Sequence, residues 1–178
     1  MPVLYPVAAH SIRSNSRSGP LIILGGVAVS VAALVCAGSP QILINHTPSE
    51  PLGPYWRIHT PPAVGALVAF KAPPAAFPYA DQRLSYLRGE LMLKAVAAGP
   101  GDRVCTTGAS LAINGVMRGR IVERDGQGRR LPRWRGCRRL QPGELFVFSN
   151  RVPNSFDSRY FGPISVRSVT GVYRRLGD

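Results

Sequence analysis

A serine and a lysine 45 positions apart are the residues of this chain best suited to covalent chemistry. Ser49 sits in the run Asn45-His46-Thr47-Pro48-Ser49-Glu50-Pro51-Leu52-Gly53-Pro54-Tyr55-Trp56, where Pro48 and Pro51 favour an extended, exposed backbone. A hydroxyl is a weak nucleophile until a base removes its proton. Lys94 can be that base, because Leu91-Met92-Leu93-Lys94-Ala95-Val96 reads as a strand in which Met92 and Val96 share the lysine's face. Apolar neighbours strip hydration from an ammonium group and lower its pKa. A neutral lysine is then a competent general base near neutral pH. Taken singly, Ser49 is an ordinary loop serine and Lys94 an edge-strand lysine reaching water. Their order along the chain, close behind an apolar segment, points instead to acyl transfer at a membrane surface.

Other chemistries fit less well. A Ser/His/Asp arrangement would need His46 or His59 as base, yet no Gly-x-Ser-x-Gly elbow surrounds Ser49. The three histidines, His10, His46 and His59, are scattered and there is no C-x-x-C, so neither a metal nor another cofactor is expected.

The elements that must position this pair belong to a mainly β domain. With 45 % hydrophobic residues the chain is neither disordered nor polytopic, and 19 Gly and 17 Pro favour short elements and turns. Strands are predicted at 65–71, 91–98, 103–106, 111–113, 143–148 and 165–173, with a hairpin turn at Asn114-Gly115. Residues 73–89, Pro/Ala-rich and then polar, read as a loop with a short helix.

Residues 20–38 carry no charge, and at about 1.5 Å per helical residue they span roughly 28 Å, close to a bilayer's hydrocarbon thickness. Arg13 and Arg17 precede them without an acidic partner, which puts the N-terminus in the cytoplasm. The expected organisation is a cytoplasmic tail at 1–19, a transmembrane or signal helix at 20–38 and an exported domain at 39–178. Small residues at Val35-Cys36-Ala37 equally fit a cleavage site, so the domain is either held at the inner membrane or free in the periplasm. Export leaves Cys105 and Cys137 as an even pair, either a disulfide or two separately buried thiols.

The net charge of +13 concentrates between Arg118 and Arg139, where nine arginines accompany Glu123 and Asp125. For a domain beside a bilayer, anionic lipid head groups are the nearest phosphates. No base-reading motif is present, so nucleic acid is not expected as a partner. A solvated arginine-rich hairpin accounts for the same residues.

Ser49, Lys94, the turn Gly99-Pro100-Gly101-Asp102 and the late block Phe148-Ser149-Asn150-Arg151-Val152-Pro153-Asn154-Ser155-Phe156-Asp157-Ser158-Arg159 follow one another in the order that resembles the type I signal peptidase superfamily. That block reads approximately Gly-Asp-Asn-Arg-x-x-Ser-x-Asp-Ser-Arg in the family; here the initial Gly-Asp is missing while Ser-x-Asp-Ser-Arg is intact. The resemblance implies a signal-peptidase-like β-rich catalytic domain with Ser49 as nucleophile and Lys94 as base. It further implies Thr47 and Ser49 at the oxyanion, Ser155 orienting the lysine amine, and Asp157 with Arg159 as a supporting ion pair. The run from Ser49 to Trp56 is similar to the TraF peptidases of conjugative plasmids, which implies a pilin precursor as substrate, cleaved or cyclised, and the conjugation machinery as partner. A general signal peptidase and an inert membrane-tethered pilus assembly protein are the competing expectations.

Overall fold

A computed structural model describes residues 40–177, so the apolar segment expected at 20–38 and the tail before it lie outside the described residues. Among the described residues no helix is long and apolar enough to cross a membrane. The architecture is mainly β. The strands are β1 (Ile42–Asn45), β2 (Gly53–Ile58), β3 (Leu67–Lys71), β4 (Leu91–Ala98), β5 (Arg103–Thr107), β6 (Ser110–Ile113), β7 (Val116–Arg120), β8 (Cys137–Arg139), β9 (Glu144–Val147), β10 (Ile164–Ser165) and β11 (Val169–Arg175). Among the described residues, helix is confined to α1 (Tyr79–Arg83), α2 (Ser158–Phe161) and three single 3-10 turns.

Seven strands pair antiparallel in the order β1-β2-β11-β3-β4-β9-β10, and four more in the order β7-β6-β5-β8. Alternation builds the larger sheet: Val68, Phe70, Met92, Val96, Val147 and Val172 point into one core, closed by Leu87, Phe161 and Ile164. A second core of Val104, Leu111, Ile113, Leu140, Phe146 and Phe148 lies under the smaller sheet. Phe146 is fully buried there although its strand, β9, belongs to the larger sheet. It links the two, and burying such a side chain stabilises by about 1.5–3 kcal/mol. Register slips between Val96 and Ala98 where β4 meets β9, and just before the slip the Ala95 N–H bonds to a side chain described below.

Most predicted strands occur within two residues of their expected ends. Asn114 (φ 52°) and Gly115 (φ 81°) form the two-residue turn between β6 and β7. The strand expected over 165–173 is broken: β10 pairs with β9, a 3-10 turn covers Val166–Ser168, and only then does β11 begin. Ser165 causes the break by accepting the Arg167 N–H on its hydroxyl, which caps the turn. The sequence also hides β1, β2 and β8, and marks β7 only through the hairpin turn before it. Gly53 and Pro54 read as punctuation, yet Pro54 sits at the start of β2 opposite Ile44, where its missing N–H is tolerated.

The pairing of β8 with β5 sets Cys137 directly opposite Cys105, and the two are joined as a disulfide across 32 residues of sequence. The same register sets Arg139 opposite Arg103, a like-charge pair that costs stability. Arg139 turns its guanidinium to the Gly101 carbonyl at 2.7 Å, and Arg138 forks onto Glu144 at 2.7 and 2.9 Å. The arginine-rich stretch is therefore a folded sheet edge plus the excursion from β7 to β8. Within that excursion Asp125 binds the Arg129 guanidinium at 3.2 Å. Trp134 packs over Gly162, whose φ of 84° and 2.8 Å clearance for a Cβ leave room for glycine alone.

Constraining a loop of this length should stabilise the fold by about 3–4 kcal/mol in the chain-entropy account. The paired Cys105→Ser/Cys137→Ser variant is expected to lose that amount in urea unfolding, and reductant should reproduce the loss in the wild type. A midpoint insensitive to both would show that the bridge adds no stability.

Candidate active site

Three segments converge: the turn between β1 and β2, strand β4, and the stretch running from β9 into α2. Lys94 stands opposite Val68 on a central strand, flanked on its own face by Met92 and Val96, and is 5 % exposed. Its Nζ lies 2.6 Å from Ser49 Oγ and donates to the Leu93 carbonyl at 3.2 Å. Ser49 is likewise 5 % exposed. Burial drives the Lys94 pKa below the ordinary lysine value; the Asp157 and Glu50 charges oppose that shift in part, and Arg159 adds to it.

Thr47 reaches the same place. Its Oγ1 is 3.4 Å from Ser49 Oγ and 3.0 Å from Asn45 Oδ1. Asp157 and Arg159 form a fully buried fork, Nε to Oδ1 at 2.8 Å and Nη2 to Oδ2 at 2.9 Å. Asp157 also caps α2 by accepting the Arg159 N–H at 3.2 Å. The guanidinium makes further contacts: Nη2 donates to Ser155 O, Nη1 to Arg120 O, and the rings of Phe148 and Tyr160 lie against it at 4.8 and 5.4 Å. Ser155 differs from expectation. Its hydroxyl is buried without a hydrogen-bond partner, while Lys94 Nζ bonds to Ser49 and Leu93, so the hydrogen bond expected between Ser155 and the amine is not formed.

Sequence reasoning passed over four residues that build this site. Asn45 bonds repeatedly to the turn carrying Ser49. Ser149, at the position where the family pattern has its missing aspartate, donates its hydroxyl to the Ser49 carbonyl across 100 residues of chain. Its own N–H reaches Asp157 Oδ2 at 3.4 Å. Glu50 is buried and accepts the Ala95 N–H at 3.2 Å. Burial raises its pKa above the usual carboxylate range, against the Ala95 N–H and the charges of Lys94 and Arg151. Ser158 Oγ accepts the Val147 N–H at 3.0 Å, tying α2 to β9. The departure from the family block at Ser149 was the one visible signal. Among the described residues no three His, Cys, Asp or Glu side chains cluster closely enough to hold a metal ion.

A buried amine 2.6 Å from a buried hydroxyl, a second hydroxyl beside them and an Asp/Arg fork behind them are the parts of a serine-type peptidase without a histidine. The chain matches the signal peptidase family, peptidase S26, over residues 13–176 and belongs to it. It is 33 % identical over 157 residues to the plasmid transfer protein TraF of Escherichia coli, covering 80 % of this chain and 88 % of that one. It is 39 % identical over 158 residues to the conjugal transfer protein TraF of Agrobacterium tumefaciens strain 15955, covering 81 % and 87 %. A looser spatial likeness, TM-score 0.39 at 25 % identity, links 62 % of the chain to 95 % of a signal peptidase I from Enterococcus faecalis V583.

The depressed Lys94 pKa has a stability consequence. Below the folded-state value the amine is protonated in both states and the fold bears the whole cost of burying the charge. Between that value and the unfolded one, about 10.4, the unfolded chain binds more protons, so stability rises with pH. Above both values the cost is gone. Lys94→Met, similar in volume and uncharged, is expected to melt above the wild type near pH 6, with the gap closing toward pH 10. A gap independent of pH would mean that the amine carries no charge-burial cost.

Proposed function

We propose that the chain is a membrane-associated serine peptidase or acyl transferase in which Ser49 is the nucleophile and Lys94 the general base, maturing a conjugative pilin precursor during plasmid transfer. The 2.6 Å approach of Lys94 Nζ to Ser49 Oγ, both 5 % exposed, carries the reading. The identity to TraF proteins of two organisms supports the conjugal setting.

Neutral Lys94 takes the Ser49 proton as Oγ bonds to the scissile carbonyl carbon and the carbonyl electron pair moves to oxygen. Thr47 Oγ1 and the Ser49 N–H stabilise that oxyanion; losing one such donor typically costs about 3–4 kcal/mol. Collapse of the intermediate returns the proton to the leaving amine and leaves an acyl ester on Ser49. Water releases a linear product, and the substrate's own N-terminal amine would release a cyclic one. The substrate binds as an extended strand with small residues before the cut. The domain works in the periplasm at the inner-membrane surface, with the arginine-rich sheet facing anionic head groups.

Mass spectrometry of the pilin from cells carrying wild type, Ser49→Ala or Lys94→Ala tests this. Both variants should leave the precursor unprocessed, whereas the wild type yields a mature product, lighter by one water if cyclic. Normal processing in both would sink the proposal and move the chain to an assembly role. The wild-type rate should climb with pH along a limb centred below the ordinary lysine value of about 10.4. A limb at or above that value would remove Lys94 as the base.

A further inference from the structure

Asn45 closes β1 with 6 % exposure and spends its whole side chain on the following turn. Its Nδ2 lies 2.9 Å from Thr47 O, 3.0 Å from Glu50 O and 3.0 Å from Pro51 O. Its Oδ1 accepts the Thr47 N–H at 3.1 Å and is 3.0 Å from Thr47 Oγ1. The amide has one workable orientation, because a backbone N–H only donates and carbonyls only accept. Pro48 and Pro51 have no N–H to hold the turn themselves, so the carboxamide supplies what the backbone lacks.

The Thr47 hydroxyl has one hydrogen. Asn45 Oδ1 can only accept, so that hydrogen is directed to Asn45 at 3.0 Å, and no Thr47 hydrogen is left for the contact to Ser49 Oγ at 3.4 Å. In the resting site the second oxyanion donor is therefore held away from the place where it is needed. We infer that Asn45 is a positioning residue acting through Thr47: it fixes the Thr47 side chain beside Ser49 and holds its hydroxyl until the oxyanion draws the hydrogen across. This rests on the Ser49/Lys94 reading above. As Ser49 Oγ bonds to the carbonyl carbon and its proton passes to Lys94 Nζ, the Thr47 hydroxyl rotates from Asn45 Oδ1 to the new oxyanion. Oδ1 keeps the Thr47 N–H throughout, so the exchange strands no buried acceptor. Collapse of the intermediate sends the hydroxyl back. The two Nδ2 hydrogens, shared among three carbonyls, hold the turn and contribute to stability, whereas the Oδ1 contacts act on the transition state.

The test uses the full-length protein in detergent with purified pilin precursor, following product by intact mass to obtain kcat and KM, with melting temperatures alongside. Asn45→Ala should lower kcat at least about 30-fold with KM within about threefold, because a transition-state donor is misplaced and ground-state binding is not. In a Thr47→Val background the same substitution should cost about threefold or less, since residues acting as a unit are not additive. Equal factors in both backgrounds, or a loss confined to KM, would overturn the inference. Should Asn45→Ala not fold, Thr47→Val removes the hydroxyl while leaving the Asn45 Nδ2 contacts to the turn in place. Its kcat should fall at least about 30-fold with an unchanged melting temperature, and an unchanged kcat overturns the inference, because Asn45 acts through that hydroxyl. Ser49→Ala and Lys94→Ala run in parallel separate the two levels. Activity in either defeats the underlying reading, whereas two inactive dyad variants beside a wild-type-like Asn45→Ala defeat only the role of Asn45.

Discussion

A primary amine held out of water must be neutral or paired, and the described domain is arranged around keeping Lys94 unpaired. A central strand, with β3 on one side and β9 on the other, buries the amine among Val68, Met92 and Val96. The Asp157 charge pulls toward the ammonium form, and Arg159, which grips both carboxylate oxygens, offsets part of that pull. Burial remains the larger influence on the amine, so the fork shapes the pocket without restoring the ordinary lysine value. Glu50, the other carboxylate near Lys94, is handled differently: burial raises its own pKa, which weakens its pull on the lysine.

The same accounting governs the turn that carries Ser49. Two prolines flank it and remove donors, so its polar groups are satisfied from outside, by Asn45 at the end of β1 and by the Ser149 hydroxyl on the Ser49 carbonyl. Ser149 also donates its N–H to Asp157. The turn, the fork and the end of β9 are thus joined by hydrogen bonds, with Lys94 enclosed between them. Preorganisation of this kind sets reacting groups before substrate arrives, when reorganisation would otherwise add to the barrier.

Periodicity exposed those parts of the fold whose side chains face a core, and local turn chemistry exposed the hairpin at Asn114 and Gly115. The strand face of Lys94 could be read from Met92 and Val96 because strand alternation is strict. Strands β1, β2 and β8 stayed hidden because they are short, lie at edges or begin with residues that signal turns. The site divided along the same line. Ser49, Thr47, Lys94, Asp157 and Arg159 belong to patterns with recognisable order, and the fold brings them together. Asn45, Ser149 and Ser158 act through hydrogen bonds to backbone atoms, and no residue pattern marks the receiving end of such a bond. The orphaned hydroxyl of Ser155 departs from expectation for a related reason: residue type can be matched to a role, but a rotamer cannot.

The smaller sheet is joined to this centre. Arg159 donates to the Arg120 carbonyl at the end of β7, and its own carbonyl accepts the Trp134 N–H at 3.2 Å from the excursion before β8. The guanidinium that pairs with Asp157 is therefore held partly by a segment carrying many arginines and a cross-strand Arg103/Arg139 repulsion. The disulfide, the Phe146 and Phe148 core and the Arg138 fork to Glu144 offset that repulsion. A charge-rich surface and a buried electrostatic centre are thus coupled through one arginine. The Arg120 carbonyl on Nη1 and the Trp134 N–H on the Arg159 carbonyl fix where that side chain sits against Asp157.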